Sequence, residues 1–206
     1  MWQSDWQSQI ASISARHVVH VVQAKGRTAL ILRLKNSIWK VVLSCGWIIW
    51  VLDVATKSWA LSHLEGEPKV RILGNFLTLT FAKNSGAAFS IGGNGTLFLS
   101  LFTVLVIFLI GRWTPKVTSR PWGYVLGLAL GGSLGNLTDR AFRGEGAFRG
   151  HVIDWIALPH WPIFNIADSA IVMAALLATF LAYRNVSPSA PLKDKQDRKD
   201  EESHGA

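Results

Sequence analysis

Cysteine is nearly absent from this chain of 206 residues: Cys45 is the only one, and it lies within an apolar run. A single thiol excludes an intramolecular disulfide and a zinc site built from several cysteines. Acidic residues are also few, with 13 Asp and Glu against 21 Lys and Arg, so the formal net charge is +8. The basic residues flank apolar runs and do not form one patch, which argues against a nucleic-acid-binding protein.

The motifs of several hydrolase classes are missing as well. His151 and His160 are nine residues apart and the sequence has no H-E-x-x-H, so a zinc protease is not indicated. Ser133 and Ser169 do not lie in a G-x-S-x-G turn, which argues against a serine hydrolase of that type. The first residues lack the basic, apolar and small-residue order of a cleavable signal peptide, and none is expected.

Long apolar runs are the main feature that the sequence does have, and half of its residues are hydrophobic. The apolar residues come in runs and not in the 3.6-residue stripes of soluble helices. Runs of this kind, rising 1.5 Å per residue, cross about 30 Å of hydrocarbon as helices. We therefore predict an all-α membrane protein with four transmembrane helices, at approximately residues 38–59, 96–111, 122–138 and 164–183.

The loop after the first run has β character. The segments VRIL and FLTLTF flank Gly74 and Asn75, a pair typical of a turn. The alternation in LTLTF predicts a half-buried strand. We therefore expect two strands within residues 70–82, followed by a turn rich in small residues at 83–90.

Composition also divides the chain into three regions. Residues 1–37 are expected to form a flexible cytoplasmic extension, and residues 38–183 the membrane domain. Residues 184–206 are highly charged and are expected to be a disordered cytoplasmic tail. Six Lys and Arg precede or include Lys40, three lie in 112–121 and five follow from Arg184, against seven in the remaining segments. The positive-inside rule then places both termini in the cytoplasm and the loops with the acids outside.

Glycine recurs every four residues in the third run, at Gly123, Gly127, Gly131 and Gly135. This spacing predicts a groove of small residues along one helix face, where a neighbouring backbone approaches closely. Two interpretations remain open: the groove serves packing alone, or it also admits a substrate helix.

The acids near the ends of the runs fall into two groups. Asp53 has Lys57 at i+4, which predicts an ion pair at a helix end. Asp139 also has cations within reach, since Arg140 follows it and Arg143 lies at i+4. These acids are therefore expected to be paired.

Asp154 and Asp168, by contrast, have no Lys or Arg within four residues. Two facing carboxylates do not both ionise easily and share one proton. Such a pair activates a water as general base and protonates a leaving amine as general acid. From the residues alone three interpretations stay open: an aspartic dyad, an ion-coupled transporter using the same acids, and a non-catalytic structural role.

Three asparagines lie near the expected outer boundary: Asn84, Asn136 and Asn165. Amides at such a place donate to an oxyanion or hold backbone carbonyls, although each one alone is equally typical of a turn or a cap. Asn165 lies three residues before Asp168, so the two share one helix face.

Four motifs follow one another in order: NSGAAFS (84–90), GGSLGNLTDR (131–140), HVIDW (151–155) and WPIFNIADSAI (161–171). Together with the D-x-x-x-K pair in the first run, they resemble the bacterial lipoprotein signal peptidases (signal peptidase II). The resemblance covers about residues 38–183.

The resemblance implies an aspartic endopeptidase of the bacterial inner membrane. Such an enzyme removes the signal peptide of prolipoproteins, cutting N-terminal to a cysteine that carries diacylglyceryl. Asp154 and Asp168 match the catalytic aspartates. Seven positions match residues that bind substrate or support the site: Asp53, Lys57, Asn84, Gly132, Asn136, Arg140 and Asn165.

The same resemblance implies a small extracytoplasmic β-sheet cradle built from the first loop, and no metal or cofactor. The expected partners are lipid-modified prolipoproteins and membrane lipid, without nucleic acid, and the protein is expected to be a monomer. The glycine-containing segment 141–153 is interpreted as a flap beside the site.

Overall fold

Four long helices dominate the computed structural model, which describes residues 37–86, 95–144 and 146–189. Helix α1 runs from Ser37 to His63, α2 from Gly95 to Trp113, α3 from Arg120 to Phe142 and α4 from Ile166 to Tyr183. A short 3-10 helix, Thr114–Lys116, follows α2. The predictions for residues 1–36, 87–90 and 190–206 lie outside the described residues.

Three helical segments are long and apolar enough to cross a membrane: Ser37–His63, Gly95–Lys116 and Ile166–Tyr183. These correspond to the first, second and fourth predicted spans. Helix α3 has 23 residues, but it does not reach the same hydropathy. The observed fold is therefore a mostly helical one with three candidate membrane helices among the described residues.

The glycines of α3 pack this helix against α1. A Cβ added at Gly123 would touch Val41, and one added at Gly131 would lie 2.6 Å from the Gly46 carbonyl oxygen. Residue numbers therefore increase in the same direction along both helices. Helix α4 runs the opposite way, because its end lies at the start of α3, where the Trp122 indole donates to the Val186 carbonyl at 2.7 Å.

Segments that connect the helices form a three-stranded antiparallel sheet, in which β2 lies between β1 and β3. Strands β1, Val70–Leu73, and β2, Leu77–Asn84, confirm the predicted hairpin. The third strand, β3, covers Val152–Ala157. The sequence does not predict this strand, because its first residues fall in the segment interpreted as a flap and the cradle is expected from the first loop alone. A bridge between Ile156 and Phe164 then leads the chain into α4.

Candidate functional site

Buried polar side chains converge where α1, α3, α4 and the sheet meet. Seven of them are at least nine-tenths buried: Asp53, Lys57, Asn136, Asp139, Arg140, Asp154 and Asn165. Charges and amides in such a place are tolerated only when they are paired and hydrogen-bonded. The partners of each group therefore define how the site is built.

Asp154 lies in the middle of β3 and is 1% exposed. One of its carboxylate oxygens, Oδ2, accepts from the Asn84 amide at 2.9 Å. The other, Oδ1, accepts from the Asn165 amide at 2.6 Å. Because Asn84 ends the neighbouring strand β2, the sheet itself brings the first of these donors to Asp154.

Asp168 is the third residue of α4 and belongs to its N-terminal capping box. Its Oδ2 accepts from the Asn165 backbone N–H at 3.3 Å, and its own N–H donates to the Asn165 side-chain oxygen at 2.9 Å. The Asn136 amide donates to Asp168 Oδ1 at 2.7 Å. A helix N-terminus favours a carboxylate at this position by about 0.3–1 kcal/mol.

Asn165 joins the two carboxylates. Its amide nitrogen donates to Asp154, while its side-chain oxygen accepts from the first turn of α4 at Asp168. The Asp168 carboxylate is held by the Asn165 backbone N–H, so Asn165 donates to both carboxylates, once from its side chain and once from its backbone. The structure brings the two predicted carboxylates into one site.

The Asp154 carboxyl has an unusual acidity. Its pKa is raised from 3.8 to about 6, chiefly by burial and also by the negative charge of Asp168, against the hydrogen bonds from Asn84 and Asn165. Burial disfavours the ionised form because it removes water from the charge. A carboxyl of this kind keeps a proton at a pH where an ordinary aspartate has lost it.

The buried ammonium group of Lys57 lies next to the two carboxylates, within hydrogen-bond distance of Asn136. Lys57 Nζ lies 2.7 Å from Asp53 Oδ2 and 3.0 Å from Asp139 Oδ2, and it donates to Asn136 Oδ1 at 3.0 Å. The predicted pair of Asp53 and Lys57 is confirmed. The prediction of a helix end was wrong, because α1 continues to His63.

Two of these acids also hold the backbone beside the catalytic candidates. Asp53 Oδ1 accepts from the Ala167 N–H at 2.8 Å, directly before Asp168. Asp139 Oδ2 accepts from the Ile153 N–H at 3.0 Å, directly before Asp154. Each candidate therefore follows a residue that a buried carboxylate anchors.

Asp139 was missed as a site residue. Its predicted partner is confirmed, since Arg143 Nε donates to Asp139 Oδ1 at 2.6 Å. Its contacts with Lys57 and with the β3 backbone were not predicted. The available signal was its position three residues after Asn136, which puts both on the site face of α3.

Gly132 and Arg140 lie at the border of this network. A Cβ at Gly132 would collide with the Ala167 carbonyl oxygen, so this glycine allows the close approach of α3 to the first turn of α4. Arg140 is 9% exposed, and its Nε has no hydrogen-bond partner within the described residues. Its positive charge interacts with Asp168, Asp154 and Asp139.

The fold and the site define a class: a helical membrane protein with two neighbouring carboxylates, of which one retains a proton more readily than a free aspartate. Within the described residues, no group of His, Cys, Asp and Glu has the arrangement of a metal site. The chemistry that such a pair of carboxylates supports is general acid–base catalysis.

Known proteins identify the family. The family model of signal peptidase II matches residues 46–184. Lipoprotein signal peptidase from Streptomyces coelicolor is 42% identical over 139 residues, covering 68% of each chain. The protein of that name from Streptomyces griseus is 41% identical, over 71% of this chain and 75% of its own. The chain therefore belongs to the signal peptidase II family, whose members are membrane-embedded proteases.

Two further comparisons agree with this. Lipoprotein signal peptidase from Mycobacterium tuberculosis is 40% identical over 69% of this chain and 71% of its own. A solved bacterial membrane enzyme superposes with a TM-score of 0.62 at 22% identity, covering 75% of this chain and 94% of that one. At this identity the superposition shows the fold alone. The transporter interpretation finds no support among these relatives.

Proposed function

We propose that this chain is an aspartic endopeptidase that removes the signal peptide of prolipoproteins, N-terminal to the diacylglyceryl-modified cysteine. The substrate class follows from the family. The aspartic mechanism rests on one observation: Asn165 donates to both carboxylates, from its side-chain amide to Asp154 Oδ1 and from its backbone N–H to Asp168 Oδ2. Two carboxylates fixed in this way are suited to share one proton and one water.

In this mechanism one carboxyl of the pair is protonated and the other ionised. The ionised carboxylate takes a proton from water as the water oxygen attacks the scissile carbonyl carbon. The protonated carboxyl donates to the carbonyl oxygen. Collapse of the tetrahedral intermediate breaks the C–N bond: one of its hydroxyl groups returns a proton to the ionised carboxylate, and the leaving amine takes a proton from the protonated carboxyl, so the pair again holds one proton. The proton belongs to the pair, and burial makes the Asp154 carboxyl, with its pKa raised to about 6, a tighter proton-binding group than a free aspartate.

The surrounding residues support this chemistry. Asn84, Asn136 and Asn165 orient the carboxylates through the hydrogen bonds described above. Arg140 has a buried N–H without a partner in the described part of the chain, and we assign it to a substrate carbonyl. The remaining supporting residues act through the packing of the helices. They fix α1 and α4 against α3, and they are Asp53, Lys57 and Gly132.

We further propose that α3 is the fourth membrane span. Its start lies at the end of α4, where the Thr118 N–H donates to the Pro188 carbonyl at 2.9 Å. Its other end lies at the start of α4, where Asn136 donates to Asp168. A helix antiparallel to a membrane-crossing helix along that length crosses the membrane with it. The glycines that lower its hydropathy face α1 and α4 and not lipid.

The proposed location is the bacterial inner membrane, with both termini in the cytoplasm. The basic linker after α2 and the segment after α4 lie at one end of the bundle, and the site lies at the other. The positive-inside rule puts the basic end in the cytoplasm. The described site residues all come from one chain, and we propose that a monomer is active.

A gel-shift assay on a diacylglyceryl-modified prolipoprotein tests the peptidase and its dyad. Asp154→Asn and Asp168→Asn should each cleave about 100- to 10,000-fold more slowly than wild type, since each removes an acid–base group. Glu65→Gln is the matched control, because it removes an exposed carboxylate that pairs with Lys83 outside the site.

Cleavage at the wild-type rate by either site variant would contradict the dyad and leave the peptidase in place. A folded wild-type protein that does not cleave the lipidated substrate would contradict the peptidase itself.

A further inference from the structure

The end of the sheet farthest from Asp154 presents large apolar side chains to the surroundings. Four of them are more than half exposed: Ile72 (51%), Leu73 (62%), Phe76 (65%) and Trp161 (62%). The first three belong to the β1–β2 hairpin, and Trp161 belongs to the loop between β3 and α4. We call these four residues the hairpin patch.

The strand register puts the two segments at one end of the sheet. Thr78, at the start of β2, pairs with Ala157, the last residue of β3. Asn84, at the other end of β2, donates to Asp154. The hairpin patch and the candidate site therefore lie at opposite ends of the same sheet. Exposed apolar clusters of this kind mark surfaces that contact another apolar phase.

The position of α4 limits how far the sheet can lie from the membrane boundary. This helix has 18 residues, roughly 27 Å at 1.5 Å per residue, so crossing about 30 Å of hydrocarbon takes its whole length. Phe164 lies just before α4 and pairs with Ile156 of β3. Ile156 pairs with Leu79 of β2, and Leu79 pairs with Val70 of β1. Three strand spacings of about 4.8 Å bring Val70 no farther than roughly 14 Å from that boundary.

Charge at the patch matches a lipid surface. Lys69 and Arg71 are exposed and alternate with the apolar residues of β1. Basic side chains beside apolar ones are typical of segments that lie in the headgroup region, where they contact lipid phosphates. The free edge of β1 has no strand partner within the described sheet. Its backbone N–H and C=O groups therefore have to stay hydrogen-bonded to water or lipid headgroups. Only its side chains can contact the hydrocarbon.

From these observations we propose that the hairpin patch rests in the lipid surface on the site side of the membrane, as an anchor additional to the spanning helices. The apolar side chains enter the hydrocarbon boundary, and Lys69 and Arg71 contact anionic phosphates. This proposal does not rest on the proposed peptidase activity. Its effect is to hold the sheet, and with it β3, at a fixed height above the bilayer.

Spin-label accessibility tests the proposal on the full chain. Cys45 is the only cysteine, so Cys45→Ala provides a background for a nitroxide attached to Phe76→Cys. The matched control is Glu67→Cys, an exposed polar position between α1 and β1. The protein is placed in phosphatidylcholine vesicles containing phosphatidylglycerol, without substrate.

We expect the label at residue 76 to collide severalfold more often with oxygen than with a water-soluble nickel complex, relative to the label at residue 67. Lys69→Gln with Arg71→Gln should reduce the difference between vesicles with and without phosphatidylglycerol. Equal nickel accessibility at residues 67 and 76 would overturn the proposal. A nickel accessibility at residue 76 that falls only when a prolipoprotein is added would also overturn it, because the substrate would then cover the patch. So would label–label broadening that disappears on dilution with unlabelled protein, because a second copy of the chain would then cover it.

Discussion

Asp154 shows most directly how burial sets the chemistry of this site. Its two oxygens each accept from an asparagine amide, which favours the ionised form, yet loss of water outweighs both bonds and raises the pKa to about 6. The folded protein therefore binds this proton more tightly than the unfolded chain does. The resulting stability is fully present below pH 3.8 and is lost as the pH rises through about 6.

Infrared difference spectroscopy can follow this proton. We expect a protonated-carboxyl band in the folded protein that disappears as the pH rises, with a midpoint near 6. Asp154→Asn should lack the band. Asp168→Asn should retain it with a lower midpoint, because the neighbouring negative charge is removed while burial remains. A band that survives in Asp154→Asn would assign the proton to another carboxyl.

Asp139 should matter although it touches no proposed reacting atom. Asp139→Ala removes a partner of the buried Lys57 and the acceptor of the Ile153 N–H, and should lower the free energy of unfolding by about 3 kcal/mol. Asp139→Asn keeps an acceptor for Ile153 and should lose activity more than stability. Cleavage rates and thermal unfolding in detergent measure the two effects.

Arg143→Gln is the control for Asp139, because it removes only the more exposed partner of the same carboxylate. Unchanged stability in Asp139→Ala would show that Lys57 is satisfied by its other partners.

The sequence singled out Asp154 and Asp168 because neither has a Lys or Arg within four residues. That local feature left an aspartic dyad, a transporter site and a structural role open, and only the resemblance to signal peptidase II favoured the dyad. The sequence predicted the ion pair of Asp53 and Lys57, because their spacing is local. It did not predict that Asp139 reaches Lys57, because that contact joins residues 82 positions apart and depends on how α1 packs on α3. Local spacing carries no information about such a contact.

Helix α3 is the element that depends most on residue size. A Cβ at Gly131 would lie 2.6 Å from both the Gly46 carbonyl oxygen and the Ile49 Cβ, so α1 would have to move away. We expect Gly131→Ala to destabilise the protein by about 1–3 kcal/mol. Gly111→Ala in α2 meets nothing within 4 Å and should be neutral or stabilising by up to about 1 kcal/mol.

Thermal unfolding of the two glycine variants in detergent makes this comparison. Equal midpoints would mean that the helices adjust to the added methyl group, and that the glycine spacing is not a packing requirement.

Strand β3 shows the limit of prediction at the level of elements. Its residues Val152, Ile153 and Ile156 are β-branched and suit a strand. The run is short, however, and it lies between glycines and a membrane helix, so its pattern resembled a loop. Its partner β2 lies some 70 residues earlier in the chain, and only that pairing makes it a strand.

The arrangement of the whole molecule predicts a definite topology. Single cysteines at Ser187 and Lys116, both exposed, should be protected from an impermeant thiol reagent added to intact cells, in a Cys45→Ala background. Glu67→Cys should be labelled, because it precedes the sheet at the site end. Labelling of either of the first two positions from outside would contradict the four-span arrangement.

The division of the site among elements also has a consequence for biogenesis. Asp53 and Lys57 are translated first, Asp139 and Asp154 follow, and Asp168 comes with α4, which is the last helix within the described residues. Asn165, which joins the two carboxylates, is translated just before it. No nascent chain that ends before residue 168 contains both carboxylates. Under the proposed mechanism, a nascent chain of this protein is therefore inactive until the first turn of α4 has been translated.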